Sequence, residues 1–193
     1  MAAPKGLRRV VPLVGVAEIL TWGSSYYLLA VLAQPIAADT GWPLPWIVGG
    51  GSLGLLASGL VASVVGRTIH RFGGRPVMAA GSLMIGAGLV LLAAAPNLAV
   101  YFLGWAILGA GMGAGLYDAA FSTLGRLFGP AARPAISTVT LFGGFASTVC
   151  WPLWALGVDE IGWRGACLAF AGAHVLVLAP ALILLLPREA VRP

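Results

Sequence analysis

Residues 65–78, VGRTIHRFGGRPVM, sit between two long apolar runs, and their reading decides the fold. Arg67, His70, Arg71 and Arg75 fall within nine residues around Gly73-Gly74, in a 193-residue chain that is only 9% charged and 60% hydrophobic. A soluble domain carries roughly 25% charged residues. Mean hydropathy is +0.97, too high for a water-facing surface. Cations concentrated in a short break between apolar runs are what holds a loop on the cytoplasmic side of a membrane. The net charge of +5 therefore points to a bilayer and not to nucleic acid, since no exposed aromatics are interleaved with the cations.

Working outward from this stretch, a helix needs about 20 mostly apolar residues to cross a bilayer. Six runs qualify: Val10–Ala33, Trp46–Gly66, Val77–Ala95, Ala99–Gly125, Ala135–Gly157 and Gly165–Leu186. Gly, Pro and charge punctuate the breaks, which are turn signals. Barrel strands read as about 10 residues of alternating pattern, and none of these runs alternates. The expected fold is an all-α integral membrane bundle of six helices, one domain over residues 1–193.

Placing the charges orients it. Lys5, Arg8, Arg9, Arg67, Arg71, Arg75, Arg126, Arg133, Arg188 and Arg192 fall on one side, ten of the eleven Lys and Arg, while Arg164 lies opposite with Asp39, Asp159 and Glu160. The positive side is cytoplasmic, so both termini are expected there, in the cytoplasmic (inner) membrane. The apolar run after Lys5, Arg8 and Arg9 is too long for the core of a cleaved signal, and no small-residue cleavage site ends it.

A shift of 89 residues aligns the second run with the fifth. Pro45 meets Pro134, Ile47 meets Ile136, Gly54 meets Gly143, Ala57-Ser58 meets Ala146-Ser147, Gly73 meets Gly162 and Arg75 meets Arg164, seven identities in 31 positions. An offset of three helices inverts the second copy in the membrane. The chain reads as two inverted three-helix repeats.

Residues 66–75 also carry a family resemblance. The pattern Gly, three residues, Asp, Arg/Lys, any residue, Gly, then two Arg/Lys marks the loop between helices 2 and 3 of the major facilitator superfamily. Gly66, Arg71, Gly73 and Arg75 match, and Pro76 follows. His70 stands in place of the Asp and Gly74 in place of one basic residue. The stretches TGWPLP (40–45) and LYDAAFSTLGRLFG (116–129) are similar to bacterial members as well. The resemblance implies one six-helix half, the N-terminal one, of a twelve-helix secondary transporter. It also implies that helices 1 and 4 line the central cavity and that the 66–75 loop latches one conformation, here without its anion. Trp105 stands where drug–proton antiporters of the family carry an Arg ahead of Gly109-x-Gly111, which weakens that assignment.

Two charges fall inside the apolar runs, Glu18 and Asp118. A charge at mid-membrane costs about 2.5–3.5 kcal/mol on insertion scales, so each is expected to face a cavity or a partner. At a rise of about 1.5 Å per residue they lie roughly 13 and 12 Å from the cytoplasmic edge. They are expected to bind protons or a neutral or cationic substrate, or else to be satisfied by nearby hydroxyls. Glu18, Trp22, Ser25 and Leu29 recur at helical spacing with Tyr26 beside them, either a substrate wall or ordinary packing. His174 reads as a proton relay or as a hydrogen-bonded core residue. Pro152 is expected to break helix 5, and Gly66, Gly73 and Gly74 to allow close approach and a turn with positive φ. Cys150 and Cys167 read as small core residues.

No nucleophile–base set, metal-ligand spacing or phosphate loop appears, so no enzyme activity, cofactor or metal is expected. The expected partners are a small-molecule substrate, the lipid bilayer and a second six-helix half. That half could come from the rest of a longer chain, a separate protein or a second copy. A non-transporting assembly or regulatory subunit, or an inactive fragment, is the other class of reading.

Overall fold

The computed structural model describes residues 6–188; Lys5 and Arg192 lie outside them. The chain runs α1 (Leu7–Ser24), α2 (Leu29–Thr40), α3 (Leu44–Phe72), α4 (Gly74–Ala94), α5 (Leu98–Gly115), α6 (Tyr117–Phe128), α7 (Ala132–Gly144), α8 (Ala146–Gly172) and α9 (Ala179–Leu185). A 3₁₀ turn, Gly129–Ala131, precedes α7, and a π-helical segment, Ala173–Leu178, joins α8 to α9. Among the described residues there is no strand. Four stretches are long and apolar enough to cross a membrane: Arg8–Thr40, Leu44–Phe72, Gly74–Ala94 and the long run Leu98–Leu185. The last is divided by the turn at Gly129–Ala131 and by Gly162, whose φ of 72° and ψ of 164° cut α8 in two.

The helices pack where glycine lets backbones meet. A Cβ on Gly109 would run into the backbone of Gly54, which fixes α5 against α3 at the closest separation helices reach. α5 also packs along α4, and α8 along both α1 and α4. The interior falls into two apolar clusters. One gathers Leu28, Leu32, Ile47, Ile85, Leu89, Trp105, Trp154 and Phe170. The other gathers Val10, Val14, Ile69, Met78, Leu124, Val139 and Leu182. Between them in sequence, on three different helices, lies a belt of fully buried polar side chains: Glu18, Thr21, Ser24, Ser25, Ser82 and His174.

The ends of the bundle sort by charge. At one end Arg126 donates to the His70 carbonyl at 2.6 Å, Arg75 and Arg188 line one groove, and Arg8 and Pro134 line another. At the other end Asp39 accepts from Trp163 and Arg164, and Arg164 also caps α4 through the Ala93 carbonyl at 2.6 Å. The two copies of the Gly-x-Arg turn share one backbone geometry: Gly73 has φ 87° and ψ 164°, Gly162 φ 72° and ψ 164°. Any other residue is strained at that φ.

Several expected local features differ. α3 continues to Phe72, so His70 and Arg71 are helical and only Gly73 turns the chain. Gly74 is the first residue of α4, kept small because a Cβ would strike the Thr123 side chain. Gly66 faces open space, with nothing within 4 Å of a Cβ built there, so it mediates no close approach. Pro152 leaves α8 continuous; the fifth helix is instead interrupted at Phe145, whose amide bonds both the Leu141 and Phe142 carbonyls. Proline is tolerated in a bilayer helix because neighbours re-satisfy the freed groups.

Candidate functional site

The first and fourth apolar runs are both interrupted at mid-span. α1 ends at Ser24, whose following residue, Ser25, has φ −126° and ψ −78°, and helix resumes at Leu29. α5 ends at Gly115, Leu116 is extended at φ −83° and ψ −172°, and α6 starts at Tyr117. Shifted by the repeat offset of 89, residues 25–28 become 114–117, so the two interruptions occupy equivalent places. Paired breaks in corresponding halves are the strongest pointer to a binding site in a transporter built of repeats.

An interrupted helix leaves carbonyls without partners, which lipid cannot supply. In the first break five carbonyls, those of Leu20, Thr21, Trp22, Gly23 and Tyr27, find donors. Ser24 Oγ donates to the Leu20 carbonyl at 2.6 Å and Ser25 Oγ to the Thr21 carbonyl at 2.5 Å. The Tyr27 amide takes the Trp22 carbonyl at 3.1 Å. From α8, which with α7 forms the fifth apolar run (helix 5), the Trp154 indole donates to the Gly23 carbonyl at 2.9 Å and the Trp151 indole to the Tyr27 carbonyl at 3.3 Å. Helix 5 fastens the second break as well, where Tyr117 Oη donates to the Thr140 carbonyl at 3.0 Å.

Glu18 lies one turn before the first break and is fully buried. Its Oε2 accepts from the Trp22 indole at 3.0 Å, while its Oε1 has no hydrogen-bond partner among the described residues. Trp22 carries the contact outward. Its ring meets Tyr26 edge-on at 5.4 Å and Tyr117 at 5.0 Å, and Tyr117 stacks on Phe121 at 5.0 Å. Trp22 and Asp118 line one cavity of about 260 Å³ with Ser58, Met112 and Leu116. Ser25, Tyr26 and Leu29 line a neighbouring cavity of about 290 Å³ with Ser52, Trp105 and Met112. The indole N–H of Trp105 is buried without a hydrogen-bond partner among the described residues.

The expected wall is thus divided. The interruption breaks the helical spacing of Glu18, Trp22, Ser25 and Leu29: Trp22 lines one cavity, Ser25 and Leu29 the other, and Glu18 is buried behind Trp22 and lines neither. Asp118 differs from the expected buried charge: it is exposed, in the first turn of α6, where the helix dipole favours an acid. Ser52 and Ser58 of α3 complete the two cavities; in the sequence Ser58 served only as a repeat landmark and neither was named as a site residue, though the serines of an otherwise apolar run were the available signal. His174 hydrogen-bonds Ser24 through Nε2 at 2.7 Å and Ser82 through Nδ1 at 3.0 Å, tying α1, α4 and the π-helical segment together. Of the remaining loop residues, Arg71 stacks over the Phe72 ring at 5.0 Å and the His70 carbonyl accepts from Arg126.

Long apolar helices, broken in pairs around buried polar groups, define a multi-pass membrane protein. The Major Facilitator Superfamily profile matches residues 14–193, and the chain belongs to that family. It is similar to monocarboxylate transporter 11 of Homo sapiens, 38% identical over 134 residues, which is 68% of this chain and 28% of the relative. To monocarboxylate transporter 11 of Mus musculus it is 32% identical over 185 residues, 90% of this chain and 39% of the relative. Monocarboxylate transporter 3 of Rattus norvegicus is 35% identical over 121 residues, 61% and 24% of the two chains. The chain therefore spans between about a quarter and two-fifths of the length of the curated relatives it matches.

Proposed function

We propose that the chain forms six membrane crossings with both termini cytoplasmic, one half of a secondary active transporter for a small organic molecule. The observation that carries this reading is the pair of interruptions at equivalent places in helices 1 and 4, opening on cavities lined by Trp22, Ser25, Tyr26, Ser58 and Asp118. A second half, from the same chain, another protein or a second copy, closes the opposite wall. In this reading Asp118 meets the substrate. Glu18 takes and releases the coupling proton, with one oxygen held by Trp22 and the other buried without a hydrogen-bond partner among the described residues.

No Lys or Arg lines either cavity, which favours a neutral or cationic substrate. The likeness to monocarboxylate transporters supports a second reading, a monocarboxylate; its negative charge must then be met by a proton or by a cation of the opposite half. The test is tracer uptake into vesicles under an imposed pH gradient, with both halves present, using a neutral polyol, an organic monocation and a short-chain monocarboxylate. Gradient-driven uptake of the polyol or the monocation supports the first reading. Uptake of the monocarboxylate alone selects the second. No uptake of any probe above protein-free vesicles goes against transport and favours a non-transporting subunit.

A further inference from the structure

The two Gly-x-Arg turns share a backbone geometry but not a fate for the arginine. Arg164 is committed to the protein: its Nε lies 3.3 Å from Asp39 Oδ2 and its Nη1 2.6 Å from the Ala93 carbonyl. In the other copy the residue corresponding to Asp39 is Phe128, which brings no charge. Among the described residues Arg75 has no carboxylate within ion-pairing distance. It instead borders a groove of about 480 Å³, where Arg188 is the second cation. The rest of the lining is apolar, including Phe72, Pro76, Leu83 and Ile183. Phe72, Leu83 and Ile183 are 52%, 44% and 42% exposed, so the trough lies open along the outside of α4 and α9.

We propose that this groove is a binding site for an anionic phospholipid, with Arg75 and Arg188 on the phosphate and the apolar trough along an acyl chain. Arg75 and Arg188 border the same end of the groove, and the trough runs from them along α4 toward Leu83. A phospholipid supplies both complements in one molecule; a free phosphate leaves the trough unfilled. A net negative headgroup is favoured over a zwitterionic one because the latter brings its own cation to the arginines. A basic residue near a charged leaflet contributes about fivefold in affinity.

The experiment reconstitutes the full chain in nanodiscs of mixed phosphatidylglycerol and phosphatidylcholine, then extracts it gently and counts retained lipids by native mass spectrometry. The parent is expected to retain phosphatidylglycerol preferentially. Arg75→Gln and Arg188→Gln are each expected to cut that preference about fivefold, whereas Arg133→Gln, at the same end but away from the groove, leaves it unchanged. Should Arg75→Gln fail to give monodisperse, helical protein, Arg188→Gln alone carries the test, since Arg188 lies beyond α9 and is exposed. Equal loss with Arg133→Gln means diffuse surface charge and overturns the site, as does the absence of any preference in the parent. Displacement of the retained lipid by inorganic phosphate, at ionic strength matched with chloride, assigns the arginines to a free anion and overturns the lipid.

Discussion

The two mid-span interruptions are equivalent by repeat but opposite in character. The first is sealed. Its carbonyls are met by Ser24, Ser25, Trp151 and Trp154, and its acid, Glu18, is fully buried with one oxygen lacking a hydrogen-bond partner among the described residues. The second is open. Its acid, Asp118, is exposed on a cavity, and Tyr117 hydrogen-bonds the Thr140 carbonyl of α7. The two breaks thus offer two environments, one closed around a buried acid and one with its acid on an open cavity. The same divergence separates the two arginine turns: Arg164 pairs with Asp39, while Arg75 has no carboxylate partner among the described residues and borders a groove.

The sharpest way to break this comparison is to crowd each site. A Cβ on Gly23 collides with Cys150, so Gly23→Val is expected to destabilise the bundle by about 3 kcal/mol or to prevent accumulation altogether. At the open break, a Cβ on Gly115 meets Thr21 Cγ2 at 3.3 Å, so Gly115→Ala is expected to cost about 1 kcal/mol or less. Unfolding of the purified protein in mixed micelles measures both. Equal losses mean the breaks are equally packed and the distinction fails.

Next come the donors from helix 5. Trp154→Phe orphans the buried Gly23 carbonyl and is expected to cost about 1–3 kcal/mol. Trp151→Phe is expected to cost well under 1 kcal/mol on the same scale, because the Tyr27 carbonyl keeps a second donor in the Ala30 amide at 3.2 Å. A larger loss in the Trp151 variant contradicts the assignment of carbonyl partners.

The smallest effect belongs to the family motif. Gly66 touches nothing, so Gly66→Ala in the exposed part of α3 is expected to be neutral or to stabilise by about 1 kcal/mol through helix propensity. A loss of stability there restores a packing role for this glycine.

The crossing helices were legible because a bilayer demands length and apolarity, and both survive any detail of packing. The repeat was legible at its turns because φ near +80° admits little besides glycine, at Gly73 and at Gly162 alike. The interruptions were not. An apolar run reads the same whether continuous or broken, and Gly23-Ser24-Ser25 looks like ordinary small-residue packing until its hydroxyls are seen on the Leu20 and Thr21 carbonyls. Pro152 misled in the other direction, since a membrane helix runs through it. Depth along a span was readable for Glu18 and Asp118, but depth does not say which side of the helix meets a cavity. The sealing of the one and the exposure of the other come from helices 2 and 5, far away in sequence.

The central claim is that the two acids divide the labour of coupling and recognition. The direct measurement compares the parent, Glu18→Gln and Asp118→Asn in vesicles with both halves present, recording pH-driven accumulation, gradient-free counterflow and KM. Glu18→Gln is expected to keep counterflow and lose most pH-driven accumulation, whereas Asp118→Asn raises KM and leaves the pH dependence of the remaining flux intact. Parental accumulation and parental KM in both variants would show that the two carboxylates are structural and contradict the account.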